Sequence, residues 1–263
     1  VWQALTAPDF PASSLPAPLP GALPLPPLSF LLVVGLAVLI GSVVQSGVGL
    51  GLGLIAAPVV AMMDPTLLPG TMLMATLLLP MFTIRAEWRH VDWRGLARVL
   101  PARLPGAVAG TWLVAVVAPE TLGALVGVMV LLAVVATGWA VRVPITTTSL
   151  VTAGVASGVT GTATSIGGPP VALLYQHEPP PRVRGTLGVF FLCGTAMSLG
   201  VLALGGQLTG EQVAAGLTLI PFVVTGFLVA RPLRRRMATA GIRTALLALV
   251  SLSGLVLLAR SLW

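Results

Sequence analysis

Apolar positions in this chain come in long blocks: 28–46, 47–63, 67–84, 104–118, 122–141, 145–161, 163–176, 186–204, 213–230 and 243–262. Blocks of this length with no polar stripe read as helices surrounded by apolar material on all sides. About 20 helical residues, at 1.5 Å each, cross a hydrocarbon core, so most blocks can span, some with tilt. Residues 163–176 are the exception. As a helix that block is roughly 21 Å long, and Gly167, Gly168, Pro169 and Pro170 interrupt it, which predicts a broken crossing enclosed by protein. Before the first block, residues 1–27 are rich in Pro and Ala, without a basic stretch leading into an apolar one, and read as a flexible tail outside the membrane.

One block recurs. SGVGLGLGLIAAPVVAMM at 46–63 aligns without a gap on SGVTGTATSIGGPPVALL at 157–174, with Ser46/Ser157, Gly47/Gly158, Val48/Val159, Ile55/Ile166, Pro58/Pro169, Val60/Val171 and Ala61/Ala172 identical. The seven matches in these eighteen columns exceed the roughly two that a biased composition gives. A duplication follows, with repeats over 28–142 and 143–263. Five blocks per half is an odd number, so the second half enters the membrane upside down relative to the first. The expected fold is an all-α polytopic membrane protein of about 8–10 segments in two inverted repeats, with helices broken at Gly and Pro.

Composition agrees. Hydrophobic residues make up 56% of the chain, charged ones 8%, and mean hydropathy is +1.02, too apolar to clothe a water-soluble globule. The net charge of +7 is all arginine and lies beside the apolar blocks, which fits the positive-inside rule and not nucleic acid. Arg85, Arg89, Arg94, Arg98 and Arg103 fall in one connection, Arg142 in another, then Arg182 and Arg184, then Arg231, Arg234, Arg235, Arg236 and Arg243; Asp64, Glu120 and Glu211 occupy the alternate ones. The arginine-rich loops are therefore expected on the cytoplasmic side of an inner membrane, with both termini outside. Trp88 and Trp93 read as interface anchors. Cys193 stands alone, and His90 and His177 fall in connections, so neither a metal site nor a cofactor is expected.

The repeated element carries the candidate chemistry. A Gly- or Thr-rich break exposes backbone N–H groups at a helix N-terminus, which bind oxyanions without formal charge. The candidate substrate-binding residues are Gln45, Ser46, Gly47, Gly49, Gly51 and Gly53 in the first element. In the second they are Ser157, Gly158, Thr160, Thr162, Thr164, Ser165, Gly167 and Gly168. The competing reading of the glycines is close helix packing. Apart from Arg260, and Arg243 at the edge of the last block, no Arg falls in a predicted span, and no Asp, Glu or His does. That disfavours an intramembrane lipid-phosphate hydrolase, which needs a nucleophile with a base, or acids holding a metal. It leaves a non-transporting scaffold as the other alternative. It also predicts a neutral-donor site and electrogenic anion export with no protein-borne proton relay.

SGVGLGLGLIAAPVV, the stretch RAEWRHVDWRGLARVLPARLPGAVAGTWL, and SGVTGTATSIGGPPVALLYQ followed by RVRGTL resemble the TauE/SafE family of sulfite and organosulfur-anion exporters. The family's run of consecutive glycines is here the alternating Gly47, Gly49, Gly51, Gly53. The resemblance implies a transporter, not an enzyme, whose partners are a small sulfur oxyanion or sulfonate and the lipid bilayer.

Overall fold

The computed structural model describes residues 26–138 and 143–233. The expected tail up to residue 25, the last apolar block, and Arg142, Arg234, Arg235, Arg236, Arg243 and Arg260 lie outside the described residues. Those described fold into helices α1 (Leu28–Val48), α2 (Leu52–Met63), α3 (Gly70–Thr76), α4 (Leu78–Glu87), α5 (Trp93–Val116), α6 (Pro119–Gly138), α7 (Thr147–Thr164), α8 (Pro169–Tyr175), α9 (Pro180–Leu204), α10 (Gly210–Thr218) and α11 (Ile220–Leu233). α1, α5, α9 and the α10–α11 run are long and apolar enough to cross a membrane. Leu32, Leu36, Val108, Trp112, Leu132 and Leu204 point outwards, as side chains facing lipid do.

Two blocks extend beyond their apolar limits. α5 starts at Trp93 and not near 104, so Arg94, Arg98 and Arg103 belong to a helix and not to a connection. Pro101 and Pro105 lie inside it; membrane helices tolerate proline because neighbouring helices re-satisfy the freed backbone groups. α9 likewise begins at Pro180 and takes in Arg182 and Arg184.

The closest interface is between α5 and α7. Gly106 and Gly110 on one helix meet Gly154 and Gly158 on the other, a small-xxx-small pair on both sides. A Cβ on Gly110 would sit 2.7 Å from the Val159 carbonyl oxygen, and one on Gly158 2.8 Å from the Ala107 nitrogen. No side chain fits, so the backbones touch. α1 packs on α11, α4 on α9, α3 on α10 and α5 on α9. The offset that superposes the repeated element carries α1 onto α7, α3–α4 onto α9 and α5 onto α10–α11. It thereby carries the α1–α11 contact onto the α7–α5 contact.

Polar side chains gather at the two ends. At one, Gln212 on α10 donates to the carbonyls of Thr66 and Leu68 (2.9 and 3.1 Å), and Asp64 caps the turn between them. At the other, Arg184 pairs with Glu87 (2.6 Å), while Asp92 accepts from the Tyr175 hydroxyl (2.9 Å) and from Arg182 (3.2 Å). These bonds join the α4–α5 corner to α8 and α9. Burial works against ionisation of Asp92, but bonds from the Gly95 N–H, Tyr175 and Arg182 outweigh it and hold its carboxyl below 3.8.

A depressed carboxylate stabilises the fold above its unfolded pKa and loses that contribution as pH falls through the folded value. Asp92→Asn should therefore lower stability by about 1–2 kcal/mol near neutral pH. The gap in thermal midpoint should close below about pH 4. Midpoints of both forms measured in detergent from pH 7 to pH 3 check this; a gap independent of pH would show that the carboxylate's charge contributes nothing.

Candidate functional site

Both members of the duplicated element break. α1 ends at Val48 and α2 starts at Leu52, and the three residues between reverse the chain through Gly49 (φ 92°) and Gly51 (φ 152°), conformations that only glycine adopts without strain. Gln45 holds the break closed: its Oε1 accepts from the Leu52 N–H at 3.0 Å. The N–H groups of Gly53 and Leu54, also in the first turn of α2, have no intrahelical acceptor. α7 ends at Thr164, and Ser165 turns the chain with φ 63°, the only non-glycine positive φ among the described residues. The Ser165 hydroxyl donates to the Pro69 carbonyl at 3.0 Å.

The two breaks touch. A Cβ on Gly53 would lie 2.8 Å from the Ser165 carbonyl oxygen, and the Leu50 side chain covers Gly168. Between them is a cavity of about 30 Å³, room for roughly one or two waters or a compact ion. Its polar wall is Gln45, the first turn of α2, Thr76, Ser165, Thr195 and Arg103; its apolar wall includes Leu50, Leu54, Leu73, Ile166 and Phe191.

Arg103, expected in a connection, is instead buried beside this cavity. It is 3% exposed, one helical turn before the Gly106 contact, and the α5–α7 packing drives it inward. Nη2 donates to Ser198 Oγ (3.2 Å), which shares a hydrogen bond with Thr162 Oγ1 (2.8 Å), and the guanidinium lies 5.0 Å over the ring of Phe190. Nε and Nη1 have no partner, and no carboxylate among the described residues pairs with this side chain. Glycines make its bed: a Cβ on Gly194 would stand 2.5 Å from Nε, on Gly161 2.7 Å from Nη2, and on Gly167 3.0 Å from Nη1. Two glycines of the second element and one of α9 thus leave space for a guanidinium that the sequence does not place beside them.

Of the candidate residues, Gln45, Gly51, Gly53, Ser165, Gly167 and Gly168 line the cavity. Thr162 stands behind Arg103, bonded through Ser198. The others are elsewhere. Ser46, Thr160 and Thr164 bond back to the carbonyls of Ser42, Ala156 and Thr160 on their own helices. Gly47 is in the last turn of α1, Gly49 packs on Arg184, Gly158 packs on α5, and Ser157 is buried without a partner. Arg103, Thr76 and Thr195 were missed as lining residues. No sequence signal singles out Arg103, because the Gly106/Gly110 spacing that matches Gly154/Gly158 begins only after Pro101 and Pro105.

The family model described as Sulfite exporter TauE/SafE matches residues 33–257, so the chain belongs to the TauE/SafE family. No curated protein and no solved structure matches it. The family is one of transporters and not of enzymes, and this chain is a membrane transport protein of the anion-exporting class.

An uncompensated buried cation destabilises the fold that holds it. Arg103→Met, apolar and of similar length, should raise the stability of the substrate-free protein by about 1–3 kcal/mol. It should weaken anion binding on the order of 100-fold, from the loss of two charge-assisted donors. Thermal denaturation and calorimetric titration on the same sample test both halves; a variant that is destabilised and still binds anions would remove Arg103 from the site.

Proposed function

We propose that the cavity between the two breaks binds a small oxyanion as the counter-ion of Arg103. The protein, on this reading, carries sulfite or an organosulfonate outwards across the inner membrane. The observation that carries the reading is the buried guanidinium with two unused donors, beside a cavity lined also by the first turn of α2, the Gln45 carboxamide and the Thr195 hydroxyl. Residues of both copies of the duplicated element line the cavity, and an oxyanion accepts from every side. The small volume favours a compact headgroup, and the apolar wall suits a short organic substituent on it.

Alternating access follows from two inverted halves, 28–142 and 143–263, rocking about the fixed site. The exchange of contacts between α1–α11 and α7–α5 supports that arrangement. The corner bearing Arg85, Arg89, Arg94 and Arg98, joined to Arg182 and Arg184, faces the cytoplasm, and the end where Gln212 meets residues 66–68 faces outward. Glu87 and Asp92 close the cytoplasmic end by pairing with the arginines of α9.

Sulfite and methanesulfonate should each raise the thermal midpoint of the purified protein, equivalent to about 2.7 kcal/mol at 100 times Kd. Acetate and phosphate should do so less, and Arg103→Gln should abolish the effect. Equal shifts in the wild type and Arg103→Gln would place the anion elsewhere. In a Cys193→Ser background, a cysteine at His90 should be labelled from the cytoplasmic side and one at Glu211 from the opposite side; reversed labelling would invert the topology.

A further inference from the structure

The cation in the site has a consequence for how the carrier turns over. We infer that it works as an anion exchanger: having released one anion, the site closes again only around another. This rests on the reading of the cavity as an oxyanion site and extends it from what is bound to what mode of transport follows.

The argument starts from the surroundings of Arg103 on every element packed against it. α7 presents Gly161 and Thr162, the second break presents Gly167, and α9 presents Phe190, Gly194 and Ser198. None carries a negative charge. The one carboxylate beside α5, Asp92, precedes Arg103 by eleven residues, roughly 16 Å along the helix, and is taken up by Tyr175 and Arg182. Glu87 is taken up by Arg184. No described acid can swing in to neutralise the guanidinium when the site is empty.

Any carrier with one site must pass through a state closed to both sides. In that state Arg103 is out of water. With an anion bound beside Arg103, the pair crosses as a neutral unit when the anion carries one charge. Without one, the closed state holds a lone charge with two unsatisfied donors, which is strongly unfavourable. The empty carrier should therefore reorient on the order of 100-fold more slowly than the loaded one. Exchange of like-charged anions moves no net charge, so potential should not drive it. The sequence predicts electrogenic export from the absence of acids and histidines in the spans; exchange differs from it because the buried cation must cross with a counter-ion.

The test uses the full chain reconstituted in liposomes under anaerobic conditions, with potassium and valinomycin setting the potential. Uptake of ³⁵S-labelled sulfite is followed into vesicles loaded either with unlabelled sulfite or with gluconate, after thermal denaturation has shown that sulfite binds and gluconate does not. Uptake into sulfite-loaded vesicles should be about 100-fold faster and indifferent to potential. In Arg103→Gln, assayed at high sulfite, the ratio between the two loads should fall towards one. Equal uptake into both loads by the wild type, with sulfite shown to bind, overturns exchange and leaves the anion site standing. Absence of any sulfite binding overturns the site itself and the exchange with it.

Discussion

A guanidinium taken out of water without an acid beside it is the constraint around which the centre of this protein is arranged. Isolated charges in a low-dielectric interior are strongly disfavoured, and side chains that cannot lose their charge, arginine above all, must be held there by the packing around them. Here the holding is done by absence of bulk. Gly161, Gly167 and Gly194 withdraw their side chains so that three elements close on Arg103 at once. Phe190 offers a ring face and Ser198 an oxygen, which offset part of the lost hydration. They leave Nε and Nη1 unsatisfied, on a side chain that lines the cavity.

That placement depends in turn on how closely α5 and α7 approach. Lipid tails are as apolar as the helices, so association within a bilayer is driven by backbone contact and not by the hydrophobic effect. Gly106 and Gly110 against Gly154 and Gly158 provide that contact. Arg103 precedes the first of these by three residues, so the approach that seats the glycines also seats the arginine over the end of α7, where the helix stops at Ser165. Packing and chemistry share one interface, which is why a glycine there has no single meaning. Gly158 serves the packing, Gly167 both the guanidinium and the cavity, and Gly51 the chain reversal that exposes the amides of α2.

Much of this was legible in the sequence because membrane proteins write their architecture in long blocks. The helical class and the Gly- and Pro-broken character of the repeated elements follow from apolar length, Gly and Pro positions, and self-similarity; the second break falls at 165–168, just before and into the expected interruption at 167–170. Arg103 was not legible because hydropathy averages it away: four other arginines and two prolines nearby make the stretch from 85 to 105 resemble a polar connection, whereas in three dimensions α5 carries only this one inward. Hydroxyls misled in the opposite direction. Ser46, Thr160 and Thr164 suggest donors, but in a helix a Ser or Thr side chain readily returns its hydrogen to the carbonyl four residues back, and all three do. Such a donor is spent before a substrate arrives, a distinction that spacing cannot make.

The combination that remains suits transport better than tight capture. Neutral donors alone, the amides of Gly53 and Leu54 with the Gln45 carboxamide, would recognise an oxyanion's shape while leaving its charge uncompensated in a dry site. A cation with a carboxylate partner would be stable when empty and indifferent to occupancy. An unpaired arginine among neutral donors does neither, because the closed state is favourable only when an anion completes it. The instability that Arg103 imposes on the empty protein is thus the same free energy that makes closure conditional on substrate. A carrier whose closure were insensitive to occupancy would leak, and one that neutralised its own site would bind nothing.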